Sequence, residues 1–189
     1  MENEGGEIVE FNSMQDTEVK NIDFLYIAGG FPEVHAEHIS KNKKFRDSIK
    51  KLADLDIPIY GECGAVIYFG KSVIYNNKKY DMCGVFPLDF ELKKKPVGHG
   101  YTNIEIDTAN PFFPIGTKFA GHEFHYSTPI KWDESKINSA LSVKKGFGFD
   151  GKRDGIFVKN VFATYTHLHA SGAKNWARDI LKIAKKKTS

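Results

Sequence analysis

Cys63 stands in the run Gly61-Glu62-Cys63-Gly64-Ala65, directly after the apolar segment 57–60 (IPIY) and before a second apolar run, 66–69. A buried strand, a small-residue turn and a helix in that order make an elbow, which thrusts its central side chain into a strained, exposed position suited to a nucleophile. A thiol there also lies at a helix N-terminus, where free N–H groups and the helix dipole favour the thiolate. The plainer alternative is a buried thiol packed beside a glycine turn, since free cysteines mostly behave as small hydrophobes. Cys83, within YDMCGVFP, has no elbow around it, and the plain reading holds for it.

Two further clusters fall at strand ends. Gly29-Gly30-Phe31-Pro32-Glu33 closes the apolar run 23–28. Successive glycine amides at a strand's carboxyl end, facing a neighbouring elbow, supply N–H donors to an oxyanion, and open α/β sheets bind ligands along that edge. The alternative is a tight turn into a helix, with Pro32 near the first helical position and Glu33 favouring its positive end. Thr166-His167-Leu168-His169 follows the run GIFVKNVFATY. In extended geometry His167 and His169 project from one face, and either could take the proton of Cys63 as the base of a Cys–His pair.

Gly121-His122-Glu123-Phe124-His125 puts Glu123 and His125 on one face of a strand. With His167 and His169 these residues invite a metal site built from His122 or His125, but the spacing lacks the helical pattern of zinc hydrolases, and strand histidines are more often hydrogen-bonded than metallated. The segment Gly64–Ser72, G-AVIYF-GKS, imitates a phosphate-binding loop with one residue too many. Its bulky apolar residues would keep the backbone from wrapping a phosphate.

The elements that must hold these residues alternate between strand and helix. Strands are expected at 7–12, 23–28 and 57–60. Helices are expected from 33, broken near Asn42, and on to about 55. Asn76-Asn77 reads as a hairpin turn between 73–75 and 78–85, because Asn tolerates positive φ. Further strands are expected at 100–106, 118–126, 139–144 and 155–164, and a closing amphipathic helix over 173–186 carries Trp176, Ile180, Leu181 and Ala184 on one stripe. The pattern predicts an α/β fold with a parallel core first and antiparallel strands later.

Bulk properties agree with one packed domain. The 189 residues are 41% hydrophobic and 27% charged, with 15 Phe, 8 Tyr and 2 Trp, which supports a core and argues against disorder. A net charge of +3 is no nucleic-acid footprint. No apolar run approaches a membrane span, and the acidic start is no signal peptide. Two cysteines make no disulfide framework, and their scarcity points to a reducing, cytoplasmic setting.

Taken in order, GGFPEVHAEHI, IPIYGECGAVIYFG, GYTNIEI, GHEFHYST and GKRDGIFVKNVFATYTHLHA resemble the C-terminal glutamine amidotransferase domain of cobyrinate a,c-diamide synthases, nickel-sirohydrochlorin relatives included, over residues 6–185. The resemblance implies a class I amidotransferase-like (flavodoxin-like) mixed sheet flanked by helices. It further implies that Cys63 attacks the side-chain amide of L-glutamine to give a thioester and ammonia, with His167 serving the nucleophile and the amides of Gly30 and Gly64 forming the oxyanion hole. Ordinary class I members carry a glutamate two residues after the histidine. Here that place holds His169, so the resemblance gives a dyad, with Glu123, His125 and His169 lining the site. The cofactors, ATP and Mg²⁺, would belong to a separate synthetase domain or subunit that amidates a tetrapyrrole carboxylate on the way to cobalamin or coenzyme F430. The whole chain, 1–189, then reads as one amidotransferase domain that is short of the family's first strand and helix. The rival readings are a non-catalytic remnant or binding subunit of the same fold and, further off, a metal-binding protein.

Overall fold

The computed structural model describes residues 1–133, 135–168, 173 and 175–185. In chain order the elements are β1 (Leu25–Ile27), α1 (Ala36–Lys41), α2 (Lys43–Asp54), β2 (Ile59–Glu62), α3 (Gly64–Phe69), β3 (Ser72–Tyr75), β4 (Lys78–Asp81), β5 (Asp89–Leu92), β6 (Gly98–Ile106), β7 (Lys118–His125), β8 (Ser127–Lys131), β9 (Asn138–Lys145), β10 (Arg153–Val158), β11 (Val161–Thr164), β12 (His167–Leu168) and α4 (Trp176–Lys185). The large sheet runs β1-β2-β11-β10-β9-β6-β7-β12, and a four-stranded sheet runs β4-β3-β5-β8. In the large sheet β1, β2 and β11 are mutually parallel, and the remaining pairs are antiparallel. The expected α/β architecture, parallel first and antiparallel later, is the observed one.

Connectivity forces this sheet to curl. Thr164 ends β11 and His167 opens β12, a separation that the backbone covers in at most about 11 Å. Yet β12 lies five strands from β11 in the sheet order, about 24 Å in a flat sheet. Only a sheet that bends back on itself brings its far edge to the carboxyl ends of β2 and β11. That curl carries His167 to Cys63.

The side-chain alternation of β2 divides the core. Ile59 joins one cluster, with Ile49, Ala65, Val66, Phe69 and Val73 from the helices and the small sheet; Tyr60 joins the other, with Ile104, Phe112, Phe113 and Phe162, under Ile180 of α4. Residues 59 to 62 are all buried, as a strand flanked on both sides and covered on both faces must be.

Two expectations need correction. Residues 7–12 pair with no strand, and Ile8 and Val9 stay more than half exposed; apolar residues make a strand only where a hydrogen-bonding edge is available. The run 155–164 is a hairpin rather than one strand. Lys159 at φ 50° turns the chain, and Phe157 pairs with Phe162. The Asn76-Asn77 turn is as expected, both residues lying at positive φ (50° and 59°) between β3 and β4. Gly64–Phe69 is a buried helix, not a phosphate-wrapping loop.

Candidate active site

The elbow is sharp. Cys63 sits between β2 and α3 with φ 51° and ψ −106°, a conformation rare outside glycine. Such a backbone costs roughly 1–3 kcal/mol and survives only where its surroundings dictate it. Here the Cys63 amide donates to the Thr164 carbonyl at 2.7 Å, and the Cys63 carbonyl accepts from Val66. Small neighbours are obligatory. A side chain on Gly64 would run into the Gly30 carbonyl and the Pro32 ring, and one on Gly61 into Ala65 and Phe69. The thiol is buried rather than exposed as the elbow pattern suggests, and Sγ lies 3.5 Å from the Phe124 carbonyl.

His167 reaches this thiol from β12. It pairs in register with His122 on β7, and the two imidazoles stack with centroids 4.8 Å apart and planes 15° from parallel. The ring's Cε1 edge lies against Gly29, where any β-carbon would collide with it. The imidazole's pKa is raised to about 9, first by its hydrogen bond with Cys63 and next by the Glu62 carboxylate, with burial opposing both. Glu62 Oε2 is 3.6 Å from His167 Nδ1, and the Tyr60 hydroxyl donates to Glu62 Oε1 at 3.0 Å.

The segment that carries the histidine is anchored by one buried carboxylate. Asp154, 1% exposed, accepts from the amides of Gly155, Tyr165 and Thr166 and from the hydroxyls of Thr164 and Thr166, all at 2.7–3.1 Å. It thereby ties the end of β11, whose Thr164 carbonyl holds the elbow, to the start of β12. Burial dominates its titration and raises the carboxyl's pKa despite these donors.

Gly30 and Gly64 come together as the sequence suggested, with their backbones in contact. Among the described residues neither amide N–H has a protein acceptor. Glu123 and His125 occupy the buried face of β7. Glu123 accepts from the amides of Phe147 and Gly148 at 2.6 and 2.8 Å and lies 3.6 Å from His125 Nε2. Burial pushes the Glu123 carboxyl up, but His125 and the two amides outweigh it and leave its pKa lowered. His125 Nδ1 lies 3.2 Å from the Ser127 carbonyl, and its ring stacks on Tyr165 at 3.7 Å. His169 lies outside the described residues. The described residues hold no group of three or more His, Cys, Asp or Glu side chains placed to bind a metal ion.

Two acidic residues near the thiol were not singled out from sequence. Glu62 sits beside the cysteine in the chain, and only β2's alternation shows that it shares a face with Tyr60. Glu33, read as a helix-start residue, is 6% exposed and leaves Oε2 without a hydrogen-bond partner. Burial raises its carboxyl's pKa, with backbone hydrogen bonding and nearby His125 pulling the other way. An open depression of about 430 Å³ beside the dyad is lined by His99, Gly100, Tyr101, His122, Glu123 and Phe124.

Residues 1–175 match the model of the CobB/CobQ-like glutamine amidotransferase domain. The chain belongs to this family. Among curated relatives, it is 37% identical over 173 residues to a cobyrinate a,c-diamide synthase of Magnetococcus marinus, covering 92% of this chain and 37% of that protein. It is 38% identical over 181 residues to the cobyrinate a,c-diamide synthase of Archaeoglobus fulgidus, covering 96% and 39%. The amidotransferase chain therefore spans about two-fifths of the length of these relatives. Solved structures agree on the fold: a glutamine amidotransferase crystal structure superposes with TM-score 0.61 at 15% identity, covering 86% of this chain and 79% of that one. PurLQS from Thermotoga maritima superposes with TM-score 0.61 at 14% identity, covering 93% and 84%.

Proposed function

We propose that this amidotransferase domain hydrolyses L-glutamine and delivers the ammonia to a synthetase that amidates the a and c side chains of cobyrinate or a related tetrapyrrole. The observation that supports it most is the buried Cys63 at a positive-φ elbow, next to a histidine whose pKa is raised to about 9.

In this reading the Cys63 thiol passes its proton to His167, its sulfur attacks the side-chain amide carbon of glutamine, and the amide N–H groups of Gly30 and Gly64 receive the oxyanion. Protonated His167 gives its proton to the departing nitrogen, so ammonia leaves and a glutamyl thioester remains. His167, now neutral, takes a proton from water as that water attacks the thioester. Glutamate is released and the thiol regenerated. ATP and Mg²⁺ would act on the synthetase, outside this chain, to activate the acceptor carboxylate. Among the described residues no helix is long and apolar enough to cross a membrane, and we place the protein in the reducing cytoplasm, where a free thiol persists.

The test is glutamine-dependent ammonia release by the purified chain, alone and with a synthetase. Cys63→Ala and His167→Ala should each abolish it, while externally supplied ammonia still supports amidation by the synthetase. A Cys63→Ala protein that hydrolyses glutamine at the unaltered rate would end this reading.

A further inference from the structure

We propose that Glu62, the residue immediately before the nucleophile, is the positioning carboxylate of this site: it fixes the tautomer and tilt of the His167 imidazole from behind. The proposal rests on the glutaminase reading above.

The argument begins with β2. Residues two apart on a strand share a face, so Tyr60 and Glu62 point to the side of the sheet opposite Ile59 and Gly61. Beside β2 in the sheet runs β11, in which Thr164 pairs with Glu62. The chain needs only Tyr165 and Thr166 to pass from Thr164 to His167. This short link sets the imidazole over the end of β2, where it meets both Glu62 and Cys63.

The carboxylate is held as well as placed. Its Oε1 accepts from Tyr60, whose ring is wholly buried and stacked on Phe162 at 5.7 Å, nearly parallel. With Oε1 tied to an immobile hydroxyl, Oε2 is presented to His167 Nδ1 at 3.6 Å. Glu62 is 6% exposed, and a buried carboxylate needs a cationic or donor partner. Among the described residues no lysine or arginine pairs with it; His167 is its charged partner.

The ring itself has little freedom between His122 stacked on one face and Gly29 close against it. A carboxylate at Nδ1 keeps the proton on that nitrogen and leaves Nε2 for the thiol, the division of labour that Cys–His pairs need from a third group. Sequence position 169, where ordinary class I members have their glutamate, is a histidine. The same task is here performed by a carboxylate on a different strand.

The experiment compares wild type, Glu62→Gln and Glu62→Asp in the full 189-residue chain. It measures glutaminase kcat and KM against pH, and titrates His167 by ¹⁵N NMR. Glu62→Gln should lower kcat by about 10- to 100-fold with KM changed less than about threefold, because orientation rather than binding is lost. The sign follows from the charge. Glu62 favours the imidazolium, so its loss moves the His167 titration, and the alkaline limb of kcat, down from about 9. Glu62→Asp should recover part of the rate and of the shift. A Glu62→Gln enzyme with wild-type kcat and an unmoved His167 titration would overturn the proposal. Should Glu62→Gln not fold, wild type decides: an elevated His167 titration with the neutral form protonated on Nδ1 supports the proposal, and an ordinary titration with the proton on Nε2 overturns it. A wild-type chain without glutaminase activity would sink the functional reading, while the His167 titration would still judge Glu62.

Discussion

The molecule contains two carboxylate–histidine pairs of equal length, Glu62–His167 and Glu123–His125, each at 3.6 Å. Their chemistry differs because of what else touches the imidazole. His125 is 3% exposed, with Ser127 at its other nitrogen and Tyr165 stacked on its ring. Its carboxylate also holds the Phe147 and Gly148 amides, so the pair fastens β7 to the turn after β9. His167 is 26% exposed and faces a thiol. The same pair of groups is a fastener where it is sealed from solvent and, under the proposed function, a proton carrier where it faces a thiol.

The comparison breaks first at the thiol and the imidazole. Cys63→Ala or His167→Ala should cost at least about 10³-fold in glutaminase rate, since members of a nucleophile–base unit fail together; an ammonia-release assay reads this. Gly29→Ala should come next, because the added methyl enters the space of the His167 ring. A loss of about 10- to 100-fold in kcat is expected from a displaced base, with thermal stability little altered; kinetics and melting on one sample separate the two. Full activity in Gly29→Ala would mean that the ring can lie elsewhere.

The fastener should fail differently. Glu123→Gln removes one member of a buried pair and should destabilise by about 3 kcal/mol, read by urea unfolding, with a smaller effect on kcat than Glu62→Gln. Its pH dependence follows from the lowered Glu123 pKa. A carboxylate whose folded pKa is depressed adds stability above its unfolded value of about 4.3, and that contribution is lost as pH falls through the folded value. Glu123→Gln should therefore flatten the acid limb of the stability profile. The smallest effect is expected from Asp154→Asn, about 2 kcal/mol, since one acceptor oxygen survives while an NH₂ group is turned toward N–H donors. Because Asp154 anchors the residues just before His167, its activity loss should exceed what the unfolded fraction explains.

Much of this was legible beforehand, for physical reasons. The elbow was legible as a glycine-flanked cysteine between a buried strand and a helix, although the same residues fit a plain buried thiol, and the Gly29-Gly30 turn meets it because both close parallel strands at their carboxyl edge. The role of Glu62 was hidden because a search for a carboxylate near His167 looks along the chain from the histidine, whereas the partner arrives through the β2–β11 pairing. Glu123 and His125, correctly placed on one strand face, could not be assigned to the inner face until the curl of the sheet was known. The split of 155–164 had a signal in Lys159-Asn160, two polar residues interrupting an apolar run; the unpaired 7–12 had none, since pairing depends on a partner edge that the segment's own residues do not encode.

The central claim is that Cys63 is the nucleophile for glutamine. The most direct measurement is labelling of the purified chain with diazo-oxo-norleucine, a glutamine-mimicking electrophile, with the adduct located by mass spectrometry. Cys83, buried and with its thiol pushed up to about 12 mainly by burial, is the internal control. The account predicts one adduct, on Cys63, suppressed by excess glutamine and slowed in Glu62→Gln. Equal labelling of both cysteines, or labelling of Cys63 that glutamine does not suppress, would contradict it.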